Sequence, residues 1–66
     1  MINGKRLKAL REGKNMSMAE LGEAMGVDRS MIGNMEREFK RPSVELLVRI
    51  ANFFNVTVDE LIRKDS

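Results

Sequence analysis

The chain has 66 residues, 42% of them apolar, enough for one domain around one small core. It contains neither cysteine nor histidine, which excludes disulfides, the usual zinc-finger ligand sets, and thiol or imidazole catalysis. Net charge is only +2, weak evidence by itself for a polyanionic partner; with no leader-like segment and no apolar run near membrane-span length, the chain reads as soluble and cytoplasmic.

A first helix opens near Asn3 or Gly4 and ends at Gly13 and Asn15. It carries Lys5, Arg6, Lys8, Arg11 and Lys14 against the single acid Glu12. A second basic group is Arg37, Lys40 and Arg41. Gathered on one side, such groups favour a polyanion; scattered, they are ordinary solvated helix faces. Leu7 and Leu10 face inward.

Ser17 and Glu20 fit a capping box, so a second helix starts at Met18, with Leu21 and Met25 on its inner face. Gly26 ends it, because glycine takes the left-handed conformation at a helix C-terminus without strain. Val27 plugs the turn, and Asp28 caps a third helix from Arg29 to Arg37 with Ile32 and Met35 inward. Pro42 marks a loop. Ser43 then caps a fourth helix to about Phe54, with Leu47, Ile50, Ala51 and Phe54 at 3-4-7 spacing. Apolar on most sides, this helix is expected to be central and to touch all the others. Asn55 can make the left-handed exit. Thr57 and Glu60 open a fifth helix through Ile62, and Val56 and Leu61 close the core. No segment alternates as a strand does, so residues 1–66 read as a single all-α domain of five short helices.

Gly22, Gly26 and Gly33 fall within what is otherwise helical sequence, where each glycine costs about 1 kcal/mol against alanine. Two short helices joined by a tight turn bring their backbones together at the corner. Gly22 lies one residue after Leu21, on the side that meets the third helix; only a small residue fits there, and alanine is expected to be tolerated. Gly26 is the turn. Together they make a helix-turn-helix. With Ile32 and Met35 inward, Ser30, Gly33, Asn34 and Arg37 point outward at 100° per residue, and Arg29 projects from the exposed end. That face is nearly bare and rich in donors, as a helix in a DNA major groove requires. Gly33 either admits a phosphate or base edge close to the backbone or is an inconsequential exposed glycine. Arg11, four residues after Leu7, and Glu36, four after Ile32, lie toward the inner faces of their helices and read as a structural ion pair, since two isolated buried charges are too costly.

Three stretches occur in order: S-x-x-E-L-G-x-x-x-G-V-D-x-S-x-I-x-x-x-E from Ser17 to Glu36, R-P-S-x-E-L-L-x-x-I-A from Arg41 to Ala51, and V-T-V-D-E-L-I from Val56 to Ile62. Together they resemble the lambda-repressor-like, XRE-type helix-turn-helix transcription regulators over nearly the whole chain. The resemblance implies that the third helix is the recognition helix, with Arg29, Ser30 and Asn34 at base edges. It places Met18, Gly33, Arg37, Lys40 and Arg41 against the DNA backbone, and it joins Arg11 to Glu36. The chain departs from the family at Met18, where a glutamine is usual, and at Glu38, where a glycine usually follows the recognition helix.

The implied function is sequence-specific binding of double-stranded DNA by a regulator, a repressor acting by operator occupancy. One recognition helix reads few base pairs, so a homodimer on a palindromic operator is expected. Phe39, Val44, Val58 and Ile62 are the candidate dimer surface, or else extra core. No cofactor, metal, small-molecule ligand, membrane or catalytic role is implied. The alternative is a protein-interaction module of the same fold, such as an antitoxin or adaptor component.

Overall fold

The computed structural model describes residues 2–63. Its elements are five helices: α1 (Gly4–Gly13), α2 (Met18–Met25), α3 (Arg29–Glu36), α4 (Val44–Phe54) and α5 (Val58–Ile62). Each begins where a side chain can satisfy the free first-turn N–H groups. Asn3, Ser17, Asp28, Ser43 and Thr57 are the N-caps, and Ser17–Glu20 and Thr57–Glu60 form complete capping boxes. The third helix ends one residue before the expected Arg37, which is its C-cap.

Four helices leave through one backbone device. Asn15, Gly26, Glu38 and Asn55 all have positive φ, between 55° and 77°. In each case the next residue's N–H returns to a carbonyl in the last turn: Met16 to Arg11, Val27 to Gly22, Phe39 to Asn34 and Val56 to Ala51. This is the Schellman closure of orphan helix carbonyls. Glycine or asparagine occupies three of the four left-handed positions, as their low cost there dictates. Glu38 stands in the fourth, where the family pattern has glycine. Its carboxylate accepts the N–H of Gly4 at 2.9 Å, joining the exit of α3 to the start of α1.

The main helix pairings are α1–α3, α3–α2, α2–α4, α4–α5 and α5–α1. They close a ring, to which α4 contributes five of the buried residues. Inside the ring lie Leu7, Leu21, Met25, Ile32, Met35, Leu47, Ile50, Ala51, Phe54 and Leu61, together with Ile2 and Leu46. Leu10, Val27 and Val56, expected inside, are half-buried at its edge. Ile2 is drawn in because the Asn3 N–H donates to the Leu61 carbonyl at 2.6 Å and the Asn3 amide donates to the Arg63 carbonyl at 2.6 Å. Arg49 donates to the Met25 carbonyl at 2.5 Å, tying α4 to the end of α2.

Close backbone approach fixes two glycines. A Cβ on Gly22 would lie 2.6 Å from the Val27 carbonyl oxygen and 3.1 Å from the Asp28 carbonyl carbon. Both are backbone atoms of the turn and cannot rotate away, which corrects the expectation that alanine fits here. A Cβ on Gly4 would collide with the Glu36 carbonyl. Gly22→Ala is therefore expected to lower stability by about 1–3 kcal/mol through overpacking, despite alanine's better helix propensity; a urea midpoint equal to or above wild type would show that the corner is not closely packed.

Candidate nucleic-acid interface

The α2–turn–α3 corner presents a shallow depression lined by Ser17, Met18, Ala19, Arg29, Ser30, Gly33 and Arg37. Five residues assigned to DNA from the sequence thus share one surface. Arg29 and Ser30 are exposed at the start of α3. The Ser30 hydroxyl donates to Asp28 Oδ1 at 2.8 Å, so its proton is engaged and its lone pairs remain to accept. The same Asp28 oxygen accepts the Met31 N–H at 3.0 Å. That backbone bond, then the Ser30 bond, holds the Asp28 carboxyl below the usual aspartate range.

Gly33 departs from its expected placement. It is buried rather than outward, because two side chains lie over it. A Cβ there would sit 3.3 Å from Met18 Sδ and 3.4 Å from Arg37 Nη1. The Met18 thioether is the tighter of the two contacts, while the Arg37 guanidinium lies back along α3 at ordinary contact distance. Met18, at the position where the family usually has glutamine, packs against the core's edge instead of offering an amide.

Asn34 is half-buried. Arg37 Nη2 donates to its side-chain oxygen at 3.1 Å, and the guanidinium lies 5.3 Å from the centre of the Phe39 ring. Lys40 and Arg41 are exposed in a different depression, shared with Ile2, Glu38 and Phe39. The sequence signalled neither the Arg37–Phe39 stacking nor the Ser30–Asp28 bond, since both depend on the path of the chain after Arg37 and on the cap geometry.

The basic group of α1 does not form a stripe. Arg6 pairs with Glu60 at 3.1 Å, and Lys14 lies 5.0 Å from the centre of the Phe53 ring. Arg11 turns inward: its Nε and Nη2 donate to the two carboxylate oxygens of Glu36 at 2.6 and 3.1 Å, and its Nη1 donates to the Met16 carbonyl at 2.7 Å. The two side chains are 8% and 5% exposed. The Glu36 hydrogen bond outweighs burial and raises the Arg11 pKa. This fork-on-fork pair fixes the C-terminal end of α3 on α1.

Residues 7–61 match the Helix-turn-helix family model. The chain belongs to the lambda-repressor-like helix-turn-helix family of DNA-binding transcriptional regulators. It is similar to the HTH-type transcriptional regulator ImmR of Bacillus subtilis (strain 168), with 32% identity covering 98% of this chain and 51% of ImmR. Similarity to AnsR of the same organism is 34%, covering 97% of this chain and 55% of AnsR. The chain thus spans about half the length of these relatives. The P22 c2 repressor protein, solved in complex with a synthetic operator, matches with a TM-score of 0.87 at 29% identity over 94% of each chain. SinR, the master regulator for biofilm formation, solved in complex with DNA, matches with a TM-score of 0.76 at 33% identity, covering 86% of this chain and 95% of that one. This is a family of transcription regulators, not of enzymes. No helix among the described residues is long and apolar enough to cross a membrane.

Two measurements check this geometry. Glu36→Ala strands a buried guanidinium and should cost roughly 3–5 kcal/mol, while a matched apolar replacement of both Arg11 and Glu36 should recover much of the loss; an unchanged melting midpoint in Glu36→Ala would contradict the buried pair. The second concerns pH. The depressed Asp28 pKa contributes stability that is present above the unfolded-state value, near pH 4, and is lost as pH falls through the lower folded-state value. Asp28→Asn keeps a good cap without this titration, so its acid-induced loss of stability should be smaller than wild type's; identical acid profiles would remove Asp28 from the cap.

Proposed function

We propose that this domain binds double-stranded DNA sequence-specifically by laying α3 in the major groove, and that it represses by occupying an operator in the cytoplasm. The observation that carries the reading is the α2–α3 depression, where Arg29, Ser30 and Arg37 surround a floor formed by Met18 and Gly33. Its support from relatives is that SinR and the P22 c2 repressor, similar along nearly the whole chain, are solved on DNA and on a synthetic operator.

In this reading Arg29 suits the O6 and N7 acceptors of guanine, Asn34 suits adenine, and Ser30, its proton held by Asp28, accepts from a base donor. Lys40 and Arg41 meet phosphates from the loop, and Arg37 keeps donors for a phosphate beyond the one it gives Asn34. Met18 cannot supply a side-chain hydrogen bond, so its phosphate contact passes to the first-turn N–H groups of α2. Gly33 contributes by letting Met18 and Arg37 lie close to the helix, which keeps the groove shallow enough for the duplex.

A homodimer on a palindromic site supplies the base pairs that one α3 cannot read. Phe39 and Val44 are 73% and 77% exposed, and Val48 and Ile62 are also exposed, so they are the apolar surface available for it. Val58 packs against the core and leaves the set. The same apolar residues favour a second reading, docking of another protein; SinR is also solved in a complex with SinI.

Substitution separates reading from holding. Arg29→Ala should cost about 1–3 kcal/mol on the selected site and relax base preference at one position per half-site. Lys40→Ala should weaken binding to all sequences alike and make the salt dependence shallower. If Lys40→Ala changed the selected sequence while Arg29→Ala weakened binding uniformly, α3 would not be the reading element. A domain whose binding to every duplex is absent at low salt would favour the protein-docking reading.

A further inference from the structure

Asn34 and Arg37 are one turn apart on the face assigned to DNA, and a hydrogen bond ties their side chains together. An asparagine amide has a carbonyl oxygen at one end and an NH2 at the other, and a half-turn about its terminal bond exchanges them. Arginine can only donate hydrogen bonds. The Asn34 atom facing Arg37 Nη2 at 3.1 Å must therefore be the oxygen. The two ends of this amide are no longer interchangeable.

Arg37 is itself held. Phe39 stands beneath its guanidinium at 5.3 Å, placed there by the left-handed turn at Glu38 and by the Phe39 N–H bond to the Asn34 carbonyl at 2.7 Å. Gly33 leaves the space over which the guanidinium lies. Backbone and ring thus set the arginine, and the arginine sets the amide. An exposed phenylalanine on a small domain has a use in this arrangement beyond apolar surface.

An adenine presents an acceptor and a donor side by side in the major groove, and an A·T pair and a T·A pair present them in opposite order along the groove. An amide free to turn over matches either order; a fixed amide matches one. We propose that Arg37, seated on Phe39, is a positioning residue that fixes the Asn34 amide, so that the base pair read by Asn34 is discriminated from its own inversion. The oxygen keeps a second lone pair for adenine while it accepts from Arg37. This inference rests on the reading that α3 enters the major groove.

The test uses the full chain and duplexes selected by it from a random pool. The base pair assigned to Asn34 is the one whose preference disappears in Asn34→Ala, and binding is then compared on the selected duplex and on one with that pair inverted. For Arg37→Ala the discrimination should fall at least about fivefold, the lower end of what one good base contact supplies. In Asn34→Ala, adding Arg37→Ala should change the ratio no further. Phe39→Leu alters no charge and keeps an apolar side chain, so it should lower the same ratio by unseating Arg37. If Arg37→Ala weakens both duplexes equally and the ratio is kept, the proposal is overturned and Arg37 is a phosphate contact alone. A preference at every position that survives Asn34→Ala also overturns it, without touching DNA binding by the domain. Failure of the wild-type chain to select any duplex counts against the major-groove reading itself.

Discussion

A buried guanidinium is tolerable only when its donors are met, and the whole corner that carries α3 is arranged around meeting those of Arg11. Glu36 takes two of them and the Met16 carbonyl takes a third. Among the described residues, no buried side-chain nitrogen or oxygen lacks a partner. The consequence is geometric. Glu36 ends α3, Met16 precedes α2, and Arg11 belongs to α1, so one side chain sets three segments against one another. Glu36 is gripped again through its backbone, where Gly4 allows α1 to begin against its carbonyl, and Glu38 accepts the Gly4 N–H just beyond. α3 is thereby fixed at its C-terminal end by α1 and at its N-terminal end by the Gly22 corner with α2.

Rigidity at both ends leaves the outer face of α3 free to be chosen for contact. The glycines divide along this line. Gly4 and Gly22 admit backbone, and replacing them disturbs the scaffold. Gly33 admits two side chains, Met18 and Arg37, whose flexible ends can shift. A glycine in mid-helix costs about 1 kcal/mol, and at Gly33 it lies under Met18 and Arg37 on the surface that faces DNA in the proposed function. Three cations of the first basic group serve elsewhere: Arg11 is buried, Arg6 pairs with α5 and Lys14 lies over an aromatic ring. The chain's modest net charge therefore says little about where a polyanion binds.

Much of this was legible in the sequence because the signals are local. Ser17, Asp28, Ser43 and Thr57 are caps whose chemistry acts within one turn, and Gly26 and Asn55 accept the left-handed conformation cheaply. The pairing of Arg11 with Glu36 could be inferred because burial forbids either charge alone. What escaped depends on contacts between distant segments. Glu38 carries no intrinsic preference for positive φ, and its bond to Gly4, near the start of the chain, is a contact that no local pattern encodes. Ile2 precedes every helix and is buried because Asn3 is held by the far end of α5. Gly22 was recognised as a close contact, but how close depends on the path of the Val27 carbonyl, which no pattern encodes. Of the proposed DNA contacts, Arg29 and Ser30 lie where helical periodicity put them. Gly33 and Asn34 share that face but are covered; periodicity fixes the direction of a Cα–Cβ bond and takes no account of what neighbouring side chains cover.

The central claim is that the Arg11–Glu36 pair holds α3 to its scaffold. Amide hydrogen exchange in Glu36→Gln, which keeps the shape and removes the charge, tests it directly by comparing protection residue by residue with wild type. The account predicts that the Met16 amide and the amides from Ile32 to Phe39 lose far more protection than those of Ile50 to Phe54 in α4. Equal loss throughout the chain, or unchanged protection at Met16 and in α3, would contradict it.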